Sequence, residues 1–386
     1  MNRLIKFMAA LLVVAIGCAG CRGATENMPD TNNTPNTNII QNDDGTPKTN
    51  GENGGSATIE INEEIMDYFF VEATMEIPNT TTYRTYRTSL KEFTPDEVIA
   101  ALLPNAERSE MQIEHIGDFT RIVSGEAEIS FSAGYLTCRT NQEMLYMDEI
   151  FGYAYSNDQL VSKEIEALSS EDAISQAEAT LSRLGMGVGL AAPEVHAFSK
   201  EDLAVVYDYL MENDSHFAAM QTGKNRPKNT FGEEDEMYRI RYTFELDAVL
   251  VFSASDPPIY SMGGVDAPST AWPMDALVYV AADGVRSVEL MGVVDELSLF
   301  EEREIILWDG IKEALVKKYG DIILTEELKV IDISLEYTPV MDLMVYGPIT
   351  LAPVWRCEFW VDEIEGWTGP KPRMADRFHA FTGGQP

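Results

Sequence analysis

The run Tyr238-Arg239-Ile240-Arg241-Tyr242-Thr243-Phe244-Glu245-Leu246 decides how this chain is read. Tyr238, Ile240, Tyr242, Phe244 and Leu246 alternate with Arg239, Arg241, Thr243 and Glu245. Side chains of a strand point alternately to the two sides of its sheet. The period of two therefore predicts a strand with a core on one side and water on the other, as an antiparallel sheet allows.

Downstream, strands are expected at 276–281 and 285–292, joined by Ala282-Asp283-Gly284, because Asp-Gly suits a tight hairpin turn. A helix is expected over about 301–319, with Ile305, Trp308, Ile311, Leu315 and Tyr319 inward and Gly320 after it. Further strands fit Ile331/Ile333/Leu335/Tyr337 and Trp355/Cys357/Phe359/Val361. Upstream, Ser169-Ser170-Glu171-Asp172 opens a helix with Ala173, Ala177, Leu181 and Leu184 on one face and Gly185 at its end. A second helix is expected at about 199–212. Thr94-Pro95-Asp96-Glu97 starts a short helix that Pro104 stops. Ile129, Phe131 and Ala133 alternate with Glu128, Ser130 and Ser132, a half-buried strand.

These patterns define an α+β fold of antiparallel sheets with a few packed helices. Two folded regions are expected, a β-rich one at 58–165 and an α+β one at 166–386. The order helix, Gly stop, strand, aromatic strand begins near 169 and again near 301, which predicts a duplicated helix-strand-strand unit.

Composition narrows the function. The 386 residues are 45% hydrophobic and 24% charged, as in ordinary globular proteins. The net charge is −36, from 28 Lys and Arg against 64 Asp and Glu. Nucleic-acid binders neutralise phosphates with clustered cations, so no nucleic-acid partner is expected. Electrostatic adsorption to anionic lipid is disfavoured for the same reason.

The N-terminus supplies an address. Arg3 and Lys6 precede the apolar run Phe7–Gly17, which is too short to cross a hydrocarbon core about 30 Å thick as a helix. That length with a positive flank fits a signal-peptide core. Gly17-Cys18-Ala19-Gly20-Cys21 follows, and small residues before a Cys resemble the lipobox of bacterial lipoproteins. The resemblance implies cleavage before Cys21 and acylation of Cys21, with Cys18 the alternative, since neither register carries a Leu three residues before its Cys. An ordinary cleaved signal or a single-span anchor is the competing reading. Two acyl chains, at about 0.8 kcal/mol per buried CH₂, suffice for stable anchoring. Residues 22–57 contain eight Asn and no aromatic residue. Too little apolar surface is available there to offset ordering, so a disordered tether is expected. Nearly all the negative charge then belongs to the folded body, which an anionic surface repels. The expected location is the cell membrane, lipid-anchored on its extracytoplasmic face.

The stretch from Leu299 through Glu336-Tyr337-Thr338-Pro339 to Leu351-Ala352-Pro353-Val354-Trp355 resembles the helix-then-strands units of PepSY-like domains. It also resembles extracytoplasmic regulators of the YycH and YycI type, which restrain a membrane histidine kinase. Taken whole, the chain resembles uncharacterised lipoproteins of gut clostridia. The resemblance implies a non-enzymatic surface role and supplies no functional residues.

Patterns for chemistry are sparse. Neither Gly-x-Ser-x-Gly nor Ser-x-x-Lys occurs, and His115, His196, His216 and His379 lack zinc-ligand spacing. No catalytic residue, cofactor site or metal site is assigned. Gly185-Met186-Gly187-Val188-Gly189 follows a helix, where a dinucleotide fingerprint would follow a strand. Cys138 and Cys357 read as strand residues, and outside the cell a disulfide between them stays open. Lys224-Arg226-Lys228 before Glu233-Glu234-Asp235-Glu236 reads as a solvated loop, with a docking loop or weak cation site as the alternative. Trp355, Trp360 and Trp367 concentrate aromatics near the C-terminus. Trp355 and Trp360 differ in parity, so one faces the core, and Trp360 and Trp367 are the candidate ligand contacts. Tyr83-Arg84-Thr85-Tyr86-Arg87 is a basic-aromatic stretch open to an anion or peptide contact, or simply a strand.

The leading expectation is a lipid-anchored, non-catalytic protein that binds or regulates another envelope component, with edge-strand pairing as its recognition mode. A surface carbohydrate- or peptide-binding lipoprotein for uptake is the alternative. A hydrolase with an unidentified acid pair comes third.

Overall fold

The computed structural model describes residues 57–141, 144, 150–151, 162–220, 229–253, 269–271, 273–324, 327–342, 348–360 and 373–385. In chain order the strands and helices begin with β1 (Ala57–Met66), β2 (Phe69–Ile77), β3 (Thr82–Thr88) and α1 (Pro95–Leu102). They continue with β4 (Gln112–Ile116), β5 (Phe119–Ser124), β6 (Ala127–Ser132), β7 (Tyr135–Arg139) and α2 (Ser170–Arg183). Next come β8 (Gly189–Leu190), β9 (Glu194–Phe198), α3 (Lys200–Asn213), α4 (Ser215–Met220) and β10 (Met237–Tyr242). Then follow β11 (Phe244–Leu246), β12 (Val249–Leu250), β13 (Ser269–Ala271), β14 (Asp275–Ala281) and β15 (Gly284–Met291). The last are β16 (Ser298–Glu304), α5 (Trp308–Tyr319), β17 (Leu328–Asp342), β18 (Ile349–Trp360) and β19 (Arg373–His379). The fold is α+β.

The chain divides into two interleaved units. One comprises Leu90–Thr243 and Asp275–Val294; the other contains the described residues before Leu90, Phe244–Met274 and Asp295 onward. This differs from the sequential division expected at 58–165 and 166–386. Strand pairing is the reason: β2 runs parallel to β17, with Phe69 opposite Leu328, and β3 pairs with β16 and β18. Such long-range partners leave no mark on local composition.

The first unit holds an eight-stranded sheet in the order β4-β5-β6-β7-β15-β14-β10-β9, antiparallel throughout. One face is apolar, with Ile122, Ile129, Cys138, Val288, Val278 and Ile240 buried. Helix α2 packs on it with Ala173, Ala177 and Leu181, and the Tyr242 hydroxyl reaches the Ile174 carbonyl at 3.5 Å. Helices α3 and α4 bury Leu203, Val206, Leu210 and Phe217 against Phe198, Met237, Tyr279 and Ala281 on the other face. Local chemistry starts the helices where expected. Thr94, Ser169 and Ser199 accept from the backbone N–H of Glu97, Asp172 and Asp202, and α1 and α3 have full capping boxes. Gly134 turns β6 into β7 at φ +68°, where a Cβ would also lie 2.6 Å from Leu90 Cδ2.

In the second unit the antiparallel pair β17–β18 is a spine flanked by halves. β2 and β13 share the outer side of β17, and β3 and β19 share that of β18. β1 extends the sheet beyond β2 and β16 beyond β3. Helix α5 buries Ile311, Ala314, Leu315 and Tyr319, the last edge-on to Phe69 with ring centroids 4.9 Å apart.

Three expectations change. The strand from Tyr238 breaks at Thr243, and Phe244–Leu246 turns through Asp247 and Ala248, at φ +50° and +61°, into β12. The helix expected from 301 starts only at Trp308; Glu301–Glu304 belongs to β16, where Glu302 faces Arg84 across the strands. The duplicated unit does not repeat one connectivity, because α3 intervenes between β9 and β10, whereas α5 leads directly into β17 and β18.

Candidate functional site

Two surfaces gather polar or exposed groups that the core does not require. One is the edge of the second unit's sheet. β3 and β16 run antiparallel there, and β16 ends the strand order. Its residues are exposed except Glu301, and Leu299 and Phe300 are 61% and 48% accessible. Pairing shifts register between Leu299 and Glu301, so Phe300 is the extra residue of a bulge. The Arg87 guanidinium lies 3.6 Å from the centre of the Phe300 ring, a cation–π contact that holds the ring against the sheet.

Next to this edge is a cleft of about 440 Å³ lined by Arg87, Thr88, Ser89, Asp295, Glu296, Ser298 and Pro348. Its wall is fixed by backbone contacts. Thr88 Oγ1 lies 3.0 Å from the Asp295 carbonyl, and the Ser298 hydroxyl donates to the Arg87 carbonyl at 2.9 Å. β3 is in turn clamped at its middle. The Tyr86 and Tyr337 hydroxyls lie 2.8 and 3.0 Å from the Asp247 carboxylate, and the Tyr337 hydroxyl is 2.9 Å from the Arg84 carbonyl. Burial, with the Asp247 charge added, pushes both tyrosines above the usual phenol range.

The second surface is the first unit's polar face, which α3 and α4 cover in part. The register sets Arg139, Ser287, Tyr279, Arg239 and His196 in one row, and Thr137, Glu289, Leu277, Arg241 and Glu194 in the next. Arg241 holds Asp275 at 2.5 Å and Glu194 at 3.7 Å. Burial raises the Glu289 carboxyl above the ordinary range and Asp275 adds to the rise, while Arg139 and Arg239 oppose it. This face balances acids against arginines.

The expected site residues fare differently. Cys18, Cys21 and Trp367 lie outside the described residues, as do 22–56 of the expected tether and Lys224, Arg226 and Lys228; the tether's last residue, Ala57, begins β1. Trp360 ends β18, half-buried, with Lys329 opposite on one side and Arg373 on the other. Trp355 is fully buried, and its indole N–H donates to the Ile306 carbonyl at 2.8 Å. Tyr83–Arg87 lies within β3, the neighbour of the exposed edge. Cys138 and Cys357 are both free, so the disulfide that the sequence left open is not formed. Burial pushes the Cys138 thiol up to about 12 and raises that of Cys357 too, so neither is a nucleophile near neutrality. Asp235 and Glu236 are buried rather than solvated, and bond to the backbone N–H of Gly232 (2.7 Å) and Lys200 (3.3 Å). Among the described residues no group of three or more His, Cys, Asp or Glu could hold a metal ion. No described helix is long and apolar enough to cross a membrane.

Leu299 and Phe300 immediately precede the helix expected from 301, and no strand was expected over them. A signal was present: the pair is apolar and lies outside the inward face assigned to that helix.

The fold defines a mixed α+β protein with two eight-stranded, antiparallel-rich sheets and a small three-stranded one. No family model matches the chain, and no curated protein matches it. Among solved structures it is similar to an uncharacterised protein from Eubacterium rectale, at a TM-score of 0.50 and 14% identity. That likeness covers 83% of this chain and 91% of the other. It speaks for the fold alone.

Proposed function

We propose that this chain is a lipid-anchored extracytoplasmic protein that binds or regulates another component of the cell envelope and performs no chemistry itself. The observation that carries the binding reading is the edge strand β16, exposed at every residue but Glu301, with Leu299 and Phe300 uncovered beside a cleft. An edge strand offers backbone donors and acceptors to an incoming chain, which is how sheets recognise extended segments. The C-terminal aromatics favour sugar stacking less, because Trp355 and Tyr337 are buried. The anchor reading rests on Arg3, Lys6, the apolar run and the Cys18–Cys21 segment. The charge of −36 supports it, since a body repelled by anionic lipid needs acyl chains to stay at the membrane.

Expression of the full chain in a bacterial host with a palmitate analogue tests the anchor. Label should enter the wild type and be lost on Cys21→Ser, or on the double replacement of Cys18 and Cys21 if the other register is used. A doubly substituted chain that stays with the membrane fraction overturns the lipoprotein reading.

A further inference from the structure

The exposed edge and its cleft share two residues, which makes them one surface. Ser298 begins β16 and lines the cleft; Arg87 pairs with Ser298, lines the cleft and stacks on Phe300. An extended segment laid along β16 would therefore pass Leu299 and Phe300 and reach the cleft mouth at its end.

The charges on this surface choose the occupant. Glu302 is neutralised by Arg84 and Glu301 by Arg303, each at 2.8 Å. Arg87 keeps its charge while it stacks on the Phe300 ring. Asp295, Glu296 and Glu304 have no ion pair among the described residues, so the cleft, with Asp295 and Glu296 against Arg87 alone, carries a net excess of acid and the far end of the strand adds Glu304. A second copy of this chain pairing through the same edge would set acid against acid, and an anionic lipid surface would be repelled likewise. A basic strand meets no such penalty.

We propose that β16 and its cleft receive an extended, basic segment of a protein partner as an added strand. Its apolar side chain packs on Leu299 and Phe300, and a Lys or Arg side chain enters the cleft against Asp295 and Glu296. Backbone pairing supplies affinity, and the acidic cleft supplies selectivity. This assignment rests on the reading of the chain as a binding protein and names the chemistry of its partner.

The test uses the full chain and three synthetic octapeptides: alternating Val and Lys, the same with Glu for Lys, and the Lys peptide N-methylated at alternate amides. The Lys peptide should bind at least about tenfold tighter than either other peptide, and more weakly as salt is raised. Asp295→Asn with Glu296→Gln should weaken it about fivefold at an unchanged melting temperature. Equal binding of the three peptides, no binding, or indifference to the double substitution overturns the proposal. A photo-crosslinking amino acid in place of Phe300 in intact cells separates the two readings. A crosslinked protein absent from the control at Tyr209 on α3 keeps the binding reading alive even where the Lys peptide fails. No crosslink and no peptide binding removes both.

Discussion

The two sheets treat charge in opposite ways. In the first unit one face is apolar and the charges gather on the other, where Arg121, Glu114 and Glu128 are 38%, 51% and 47% exposed. In the second unit charges are buried on both faces of the same strands. Arg377 on β19 pairs with Glu336 on β17 and lies 4.3 Å over the Phe252 ring, and Arg356 bridges to Glu358 at 2.8 Å. On the opposite face Asp376 takes the Lys318 ammonium at 2.6 Å and the Tyr319 hydroxyl at 2.5 Å, pinning α5 to the sheet. Both Asp376 and Arg377 are essentially inaccessible. A buried pair adds little net stability, yet breaking it strands a charge. The second unit therefore depends on buried ion pairs on both faces, whereas the first confines its buried pair, Arg241 with Asp275, to one face.

Arg377→Met breaks that dependence most directly. It leaves Glu336 buried without its main partner, and a loss of about 3–5 kcal/mol is expected in urea unfolding. Replacing Glu336 by Leu in the same chain should restore most of it, because an apolar pair escapes the desolvation cost. A single-substitution loss under about 1 kcal/mol would mean that water reaches this pair and that the two sheets do not differ.

Tyr319→Phe probes the other face with a smaller change. Asp376 keeps Lys318 but loses the hydroxyl donor, for an expected cost of about 1–3 kcal/mol. The same removal on the first unit's face, Arg121→Ala, should leave the unfolding midpoint indistinguishable from wild type, since that arginine and its partners are well exposed. Equal losses at the two positions would abolish the contrast.

The first unit is also where local sequence is most informative. Thr94, Ser169 and Ser199 announce their helices by capping within three residues, and Asp283-Gly284 turns a hairpin between adjacent strands. The second unit is assembled from β1–β3 and β16–β19, separated by more than two hundred residues, and no local pattern marks that pairing. Ser298-Leu299-Phe300-Glu301 even imitates the start of a helix, with Ser and Glu at capping-box spacing. In the structure Ser298 instead donates across the strands to Arg87, and β3 captures the segment. The candidate edge was thus half legible: the Tyr83–Arg87 stretch stood out, and its partner strand did not. The second unit's buried charges were equally unreadable, because Glu336, Glu358 and Arg377 lie in strands whose alternation looks ordinarily amphipathic.

The smallest expected effect concerns Glu289, a half-buried carboxyl on the first unit's polar face. Burial raises its carboxyl, reinforced by Asp275, against the pull of Arg139 and Arg239. Between the ordinary carboxylate value and the raised folded value, the native state holds a proton that the unfolded chain has released. Stability therefore falls as pH rises through that window, and below it both states are protonated and no difference remains. Glu289→Gln removes the titration while keeping the shape. It should raise the melting temperature at pH 8, by at most about 3 °C, and leave it unchanged relative to wild type near pH 3. The opposite sign at pH 8, a Gln variant less stable than wild type, would mean that Arg139 and Arg239 outweigh burial. Glu289 would then be a paired charge, as Asp275 is with Arg241 on the same face, rather than a carboxyl kept neutral by burial.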